Sequence, residues 1–144
     1  AKVDYSRFMN TTVRITLKLI PDSLQTQPVF LCVDDTMVSK FGTKFENVSK
    51  LFDHTAHNGS NYLNGHCFVS VMLCVPVWNG DKVYYLSVPL GYRMWQKKES
   101  KLELAASMIR QVMPEFHGKD TLPPVLASRS WNFVYFRKDQ QYLH

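Results

Sequence analysis

The run from residue 66 to 77 restricts the fold more than any other stretch. Cys67, Val69, Val71, Leu73, Val75 and Val77 alternate with Phe68, Ser70, Met72, Cys74 and Pro76. A period of two marks a strand, because successive side chains leave a strand on opposite faces. Here both faces are largely apolar, which predicts a central strand covered on both sides. Asn79-Gly80 then gives a hairpin signal, and residues 82–88 return as the partner strand.

A second apolar run, Val29-Phe30-Leu31-Cys32-Val33, drives into Asp34-Asp35-Thr36. It reads as a buried strand over 29–34 whose end delivers two acids to one spot. Adjacent like charges at the end of an apolar strand are electrostatically costly, and a bound cation or a nearby base would offset that cost. The same two residues also suit a turn or a cap, where Asp is common.

Around these strands the chain reads as follows. Residues 5–20 have a helical period, with Phe8, Thr12, Ile15 and Leu19 on one face and Met9, Val13 and Ile20 widening it. Asp4 can cap this helix, and Pro21-Asp22 ends it. Gly42 marks a turn, and the polar stretch from Leu51 to Gly65 reads as a long loop. Ser100-Lys101-Leu102-Glu103 is a capping box, followed by Leu102, Ala105, Ala106, Ile109, Val112 and Met113 at helical spacing up to Pro114. Residues 122–127 suggest a short strand, and 128–144 form an aromatic, basic tail. The division is an N-terminal helical segment, 1–27, and a mixed α/β portion, 28–144.

With 144 residues, 45% hydrophobic and 20% charged, the chain can bury a real core. Its net charge of +5 suits a polyanionic partner, though a solvated basic surface reads the same way. The three cysteines, Cys32, Cys67 and Cys74, lie in apolar runs without regular spacing. That argues against a disulfide framework and for a reducing compartment such as the cytoplasm. No stretch reads as a membrane span or a signal peptide. The start at Ala1-Lys2 fits a piece of a longer protein.

The order of elements, together with Val33-Asp34-Asp35-Thr36, Lys40-Phe41-Gly42-Thr43-Lys44, Asp53-His54 and Gly65-His66, resembles the catalytic domain of DDE transposases of bacterial insertion sequences. The resemblance runs from about residue 8 to residue 116. It implies a ribonuclease H-like mixed sheet, an antiparallel hairpin plus a parallel strand with flanking helices, here incomplete. It also implies metal-dependent cleavage and joining of DNA at three acids with Mg²⁺ or Mn²⁺, a bacterial cytoplasmic setting, and DNA ends and target as partners, without a membrane. The family's first acid has a hydroxyl residue two positions later, which matches Asp34 with Thr36. Asp34 therefore takes the catalytic, metal-binding role and Asp35 a supporting one, since neighbouring strand residues point apart.

The chain departs from the family at the second acid. Where an acid-Ser-Trp sequence belongs, it reads Val125-Leu126-Ala127-Ser128-Arg129-Ser130-Trp131, and the third acid would lie beyond residue 144. The chain then reads as an N-terminal fragment with an altered end, inactive alone. A non-catalytic DNA-binding or assembly role is the alternative. Candidate DNA contacts are Lys40, Lys44, His54, His57, Arg93, Lys97 and Lys98, because Lys and Arg supply sequence-independent phosphate affinity. Tyr84, Tyr85 and Tyr92 are expected in packing. An exposed sheet edge predicts self-association, as a homo-oligomer.

Overall fold

The computed structural model describes residues 3–42, 44–52 and 61–116, together with the backbone of 125–127. It is a mixed α/β arrangement: four antiparallel strands and two helices. Helix α1 (Tyr5–Lys18) opens on Asp4, whose carboxylate accepts the Arg7 N–H at 3.0 Å. A side-chain acceptor at this position satisfies an otherwise orphaned amide of the first turn.

The buried side of α1 takes the widening residues of the expected face and leaves its centre outside. Met9, Val13 and Thr16 are buried with Ile20, whereas Phe8 and Leu19 are 60% and 74% exposed. Both stripes have helical spacing, so periodicity alone could not choose between them. The choice fell on the stripe with the slimmer side chains. Gly91 shows why room is short: a Cβ added there would lie 3.1 Å from the Met9 sulfur.

Strand β1 (Phe30–Ser39) pairs antiparallel with β3 (Tyr62–Asn79), from Phe30 opposite Cys74 to Ser39 opposite Gly65. The expected strand was shorter and ended at the acids. Because β3 continues, the ladder carries β1 five residues past Asp34, and Asp34-Asp35 is neither a turn nor a strand end. The expected loop from Leu51 to Gly65 is also narrower, since β2 (Ser49–Phe52) pairs with Tyr62–Gly65 of β3. Residues 53–60 lie outside the described residues.

Strand β4 (Lys82–Met94) returns along β3 for longer than the sequence suggested. The turn is centred on Gly80-Asp81, one residue beyond Asn79-Gly80, because Asn79 is still paired with Lys82. Gly80 has φ +60°, the left-handed conformation such tight turns require. Near the other end, Val71 faces Gly91 while Met72 faces Pro89, so Leu90 is one residue too many. Strands β2 and β4 share one edge of β3, and β1 occupies the other. The three-residue backbone of β5 (Val125–Ala127) lies parallel to Leu31–Val33 of β1.

Helix α2 (Lys101–Val112) begins with the expected capping box, in which Ser100 and Glu103 exchange hydrogen bonds of 3.1 and 2.7 Å with each other's backbone N–H groups. It gives way at Met113 to a tighter turn, Met113–Phe116, which holds Pro114. Both helices lie on the same face of the sheet. Met9, Val13, Leu104, Met108, Ile109, Val112 and Phe116 pack with Leu31, Val33, Val69, Val71, Leu73 and Val75 in one core. The segment 1–27 therefore shares the core of the sheet. Among the described residues no helix packs on the opposite face, although Ser70, Cys74 and Pro76 of β3 are buried there among their neighbours.

Candidate metal and nucleic-acid site

The acids are placed by strand alternation. Asp35 follows Leu31 and Val33 onto the helix side, and Asp34 follows Phe30 and Cys32 onto the open side. The Lys101 ammonium, in the first turn of α2, donates to Asp35 Oδ2, and the Cys67 thiol donates to the same oxygen at 3.6 Å. Burial pulls the Lys101 pKa down, but the hydrogen bond and charge of Asp35 outweigh it and the pKa ends above the ordinary lysine value. Burial pushes the Cys67 thiol up, and Lys101 offsets this in part. Asp35 is thus an anchor for the start of α2.

Lys101→Met is expected to lower stability by about 2 kcal/mol, between the small effect of exposed pairs and the larger one of buried pairs. The folded Lys101 pKa lies above the unfolded one. Its contribution is therefore fully present below about pH 10, the ordinary lysine value, and disappears as pH rises through the raised value. Urea titrations of both proteins at neutral and strongly alkaline pH check this, and a gap that widens in alkali contradicts it.

Asp34 is half-buried on the open side. Its Oδ1 accepts the Asp35 N–H at 2.8 Å, and its carbonyl accepts the Ser70 hydroxyl at 3.2 Å. Further back on this face the Cys32 and Cys74 sulfurs lie 3.2 Å apart, with the Ser87 hydroxyl 3.3 Å from Cys74. Burial first, then the neighbouring Cys74, pushes the Cys32 thiol up to about 12, so it stays protonated at neutral pH. All three cysteines are free thiols.

Asp34 and Asp35 diverge to opposite faces, so one ion cannot bridge their side chains. Among the described residues no group of three or more His, Cys, Asp or Glu side chains is placed to hold a metal. Asp34 offers oxygen chemistry suited to Mg²⁺ or Mn²⁺, with the Thr36 side chain two residues on, on the same face. One carboxylate does not make a magnesium cage, so the described residues do not fit a complete metal site. Ala127 is registered with Val33, one residue before Asp34. Ser128 to Trp131, where a second acid was sought, lie outside the described residues, as do His54 and His57.

The basic candidates divide by position. Lys40 closes β1, its N–H donating to the Asn64 carbonyl at 2.8 Å and its ammonium lying 5.2 Å from the Phe45 ring centroid. Lys44 and Lys98 are exposed. Lys97, at φ +60°, donates to the Lys50 carbonyl at 3.1 Å and lies 5.9 Å from the Trp95 ring. Arg93 is drawn to the helix side, where it donates to Gln111 Oε1 at 2.9 Å.

Sequence reading missed Tyr62 and its pairing with Lys50. The Lys50 ammonium stands 4.7 Å from the centroid of the Tyr62 ring. The detectable signal was a basic residue two positions before an aromatic, Lys50-Leu51-Phe52, at the mouth of the loop. The tyrosines expected in packing, Tyr84, Tyr85 and Tyr92, are all exposed, but Tyr85 also meets Phe30 edge-on at 5.2 Å and donates to the Pro28 carbonyl.

No family model, curated protein or solved structure matches the chain. Among the described residues no helix is long and apolar enough to cross a membrane.

Proposed function

We propose that this chain is part of a DNA transposase of the ribonuclease H-like type, with Asp34 as one metal-binding carboxylate of a DDE endonuclease. The observation that carries the reading is the position of Asp34. It sits in the middle of β1, on the open face, one residue beyond the point where the parallel β5 backbone reaches Val33. An acid there, flanked by a parallel strand on one side and an antiparallel pair on the other, fits the arrangement expected from the resemblance. The remaining acids would have to come from outside the described residues, and this chain alone is proposed to be inactive.

The test is made in an intact enzyme that contains this chain. Asp34→Ala is expected to abolish nicking of DNA in Mg²⁺, because Asp34 would be one of the carboxylates that hold the metal. Salt-dependent DNA binding should remain, because phosphate contacts carry it. Binding that collapses together with nicking would assign Asp34 a structural role instead.

A second reading, a non-catalytic DNA-binding or assembly piece, draws on the lysine–aromatic contacts. Lys40, Lys50, Lys97 and Lys101 each stand near an aromatic ring at the same end of the sheet. Undiminished nicking by Asp34→Ala would favour this reading.

A further inference from the structure

We infer that the open face of the sheet, at the end where β2 joins β3, is a stacking platform for the unpaired bases of a DNA strand. The inference deepens the transposition reading and rests on it for the choice of DNA.

The residues of this face follow from register. Asp34, Thr36 and Val38 of β1 stand opposite Ser70, Phe68 and His66 of β3. On the other edge of β3, Tyr92 stands opposite Ser70, and Phe52 opposite Tyr62. Directly opposed residues share a face, so Tyr92, Phe68 and His66 and, beyond Asn64, Tyr62 and Phe52 place rings along one side. Both α-helices pack on the other side.

The rings are held in place by one another. His66 and Phe68 meet edge to face at 6.1 Å and 75°, and Phe52 and Tyr62 at 5.3 Å and 81°. The His66 Nε2 is fixed 2.8 Å from the Glu46 carbonyl. Tyr62 is nevertheless 52% exposed and Phe52 43%. Rings that are oriented before a ligand arrives lose little freedom on binding.

Charge identifies the occupant. Residues 40–52 carry three lysines, Lys40, Lys44 and Lys50, against one acid, Glu46. Lys50 stands over Tyr62 itself, and Lys40 over Phe45 on the adjoining loop. An aromatic surface bordered by ammonium groups matches a polymer of flat bases joined by phosphates. Bases stacked inside a duplex leave no face free for a protein ring, so the strand must be unpaired where these rings stack on it. From His66 to Ser70 is four residues of β3, about 13 Å at the rise of a strand. A strand lying on these rings therefore leads to Asp34.

The test measures anisotropy of labelled oligothymidylate and of a duplex of equal length with the full 144-residue chain. The single strand is expected to bind more tightly. Tyr62→Ala should weaken it roughly tenfold, as loss of one stacked base does, and Tyr62→Trp should restore it. Lys50→Gln should lower the salt slope by about 0.7. Lys18→Gln, the same charge removed from α1, should leave binding close to wild type.

Tighter binding of the duplex, or wild-type affinity in Tyr62→Ala, overturns the platform. Failure of Tyr62→Trp to restore binding also overturns it. The two proposals fail separately. If Tyr62→Ala binds normally while Asp34→Ala stops nicking, only the platform is lost. If the platform variants behave as expected while nicking ignores Asp34, only the transposition reading is lost.

Discussion

Leu73→Ala is expected to reduce the free energy of unfolding by about 3–5 kcal/mol, the upper part of the range for a buried leucine. Leu73 is fully buried in β3, between β1 and β4, on the side that both helices cover. Removing it takes apolar surface out of the core and leaves a cavity that two hydrogen-bonded neighbours keep from collapsing. Met72→Ala, one residue earlier and on the opposite face, should lower it by about half as much, because Met72 is only partly buried. Urea melts of the two variants compare the faces directly. Equal losses would mean that the second face is covered as heavily as the first.

Gly65→Ala is expected to be nearly as damaging, at about 3 kcal/mol, although it adds a single methyl group. A Cβ at Gly65 would lie 2.3 Å from the Val38 carbonyl oxygen and 3.0 Å from a Leu63 methyl carbon. The first contact is with backbone, so no rotamer change relieves it, and β1 must separate from β3. Gly65 pairs with Ser39 on one side and Ser49 on the other, so both ladders feel the change. Hydrogen exchange at the Lys40 amide, which bonds the Asn64 carbonyl, should accelerate more than exchange in α2. Unchanged protection at Lys40 would show that the methyl group is absorbed without strand separation.

Much of the fold was legible because local signals agreed with the tertiary arrangement. The capping box at Ser100 started α2 where expected, and Asp4 capped α1. The two-faced run 66–77 became the strand that all but β5 depend on for pairing. What local pattern could not supply was the length of pairing. β1 runs on through Asp34-Asp35 because β3 offers partners as far as Gly65, a fact residing in another part of the chain. The buried side of α1 was hidden for a similar reason, since the sheet beneath decides which of two apolar stripes fits.

The candidate site was partly legible. Alternation separated Asp34 from Asp35, and the structure gives Asp35 a partner in Lys101, a pairing that local sequence did not reveal. Arg93 was grouped with surface cations from its neighbours in sequence, yet strand phase turns it toward Gln111. Tyr62 gave little signal of its own, because its significance comes from Lys50 and Phe52 across the ladder.

The extra residue in β4 at Leu90 acts as a phase changer. Before it, odd-numbered residues such as Tyr85 and Ser87 stand opposite Pro76 and Cys74 on the open side; after it, even-numbered Tyr92 does so, opposite Ser70. Leu90 itself drops into the core, 1% exposed. Without that offset Tyr92 and Arg93 would exchange addresses: the ring would face the helices and the guanidinium would face the same side as Asp34. The hairpin thus encodes the chemistry of its far end by counting, and one residue gained or lost between Pro89 and Gly91 would rewrite what the open face presents.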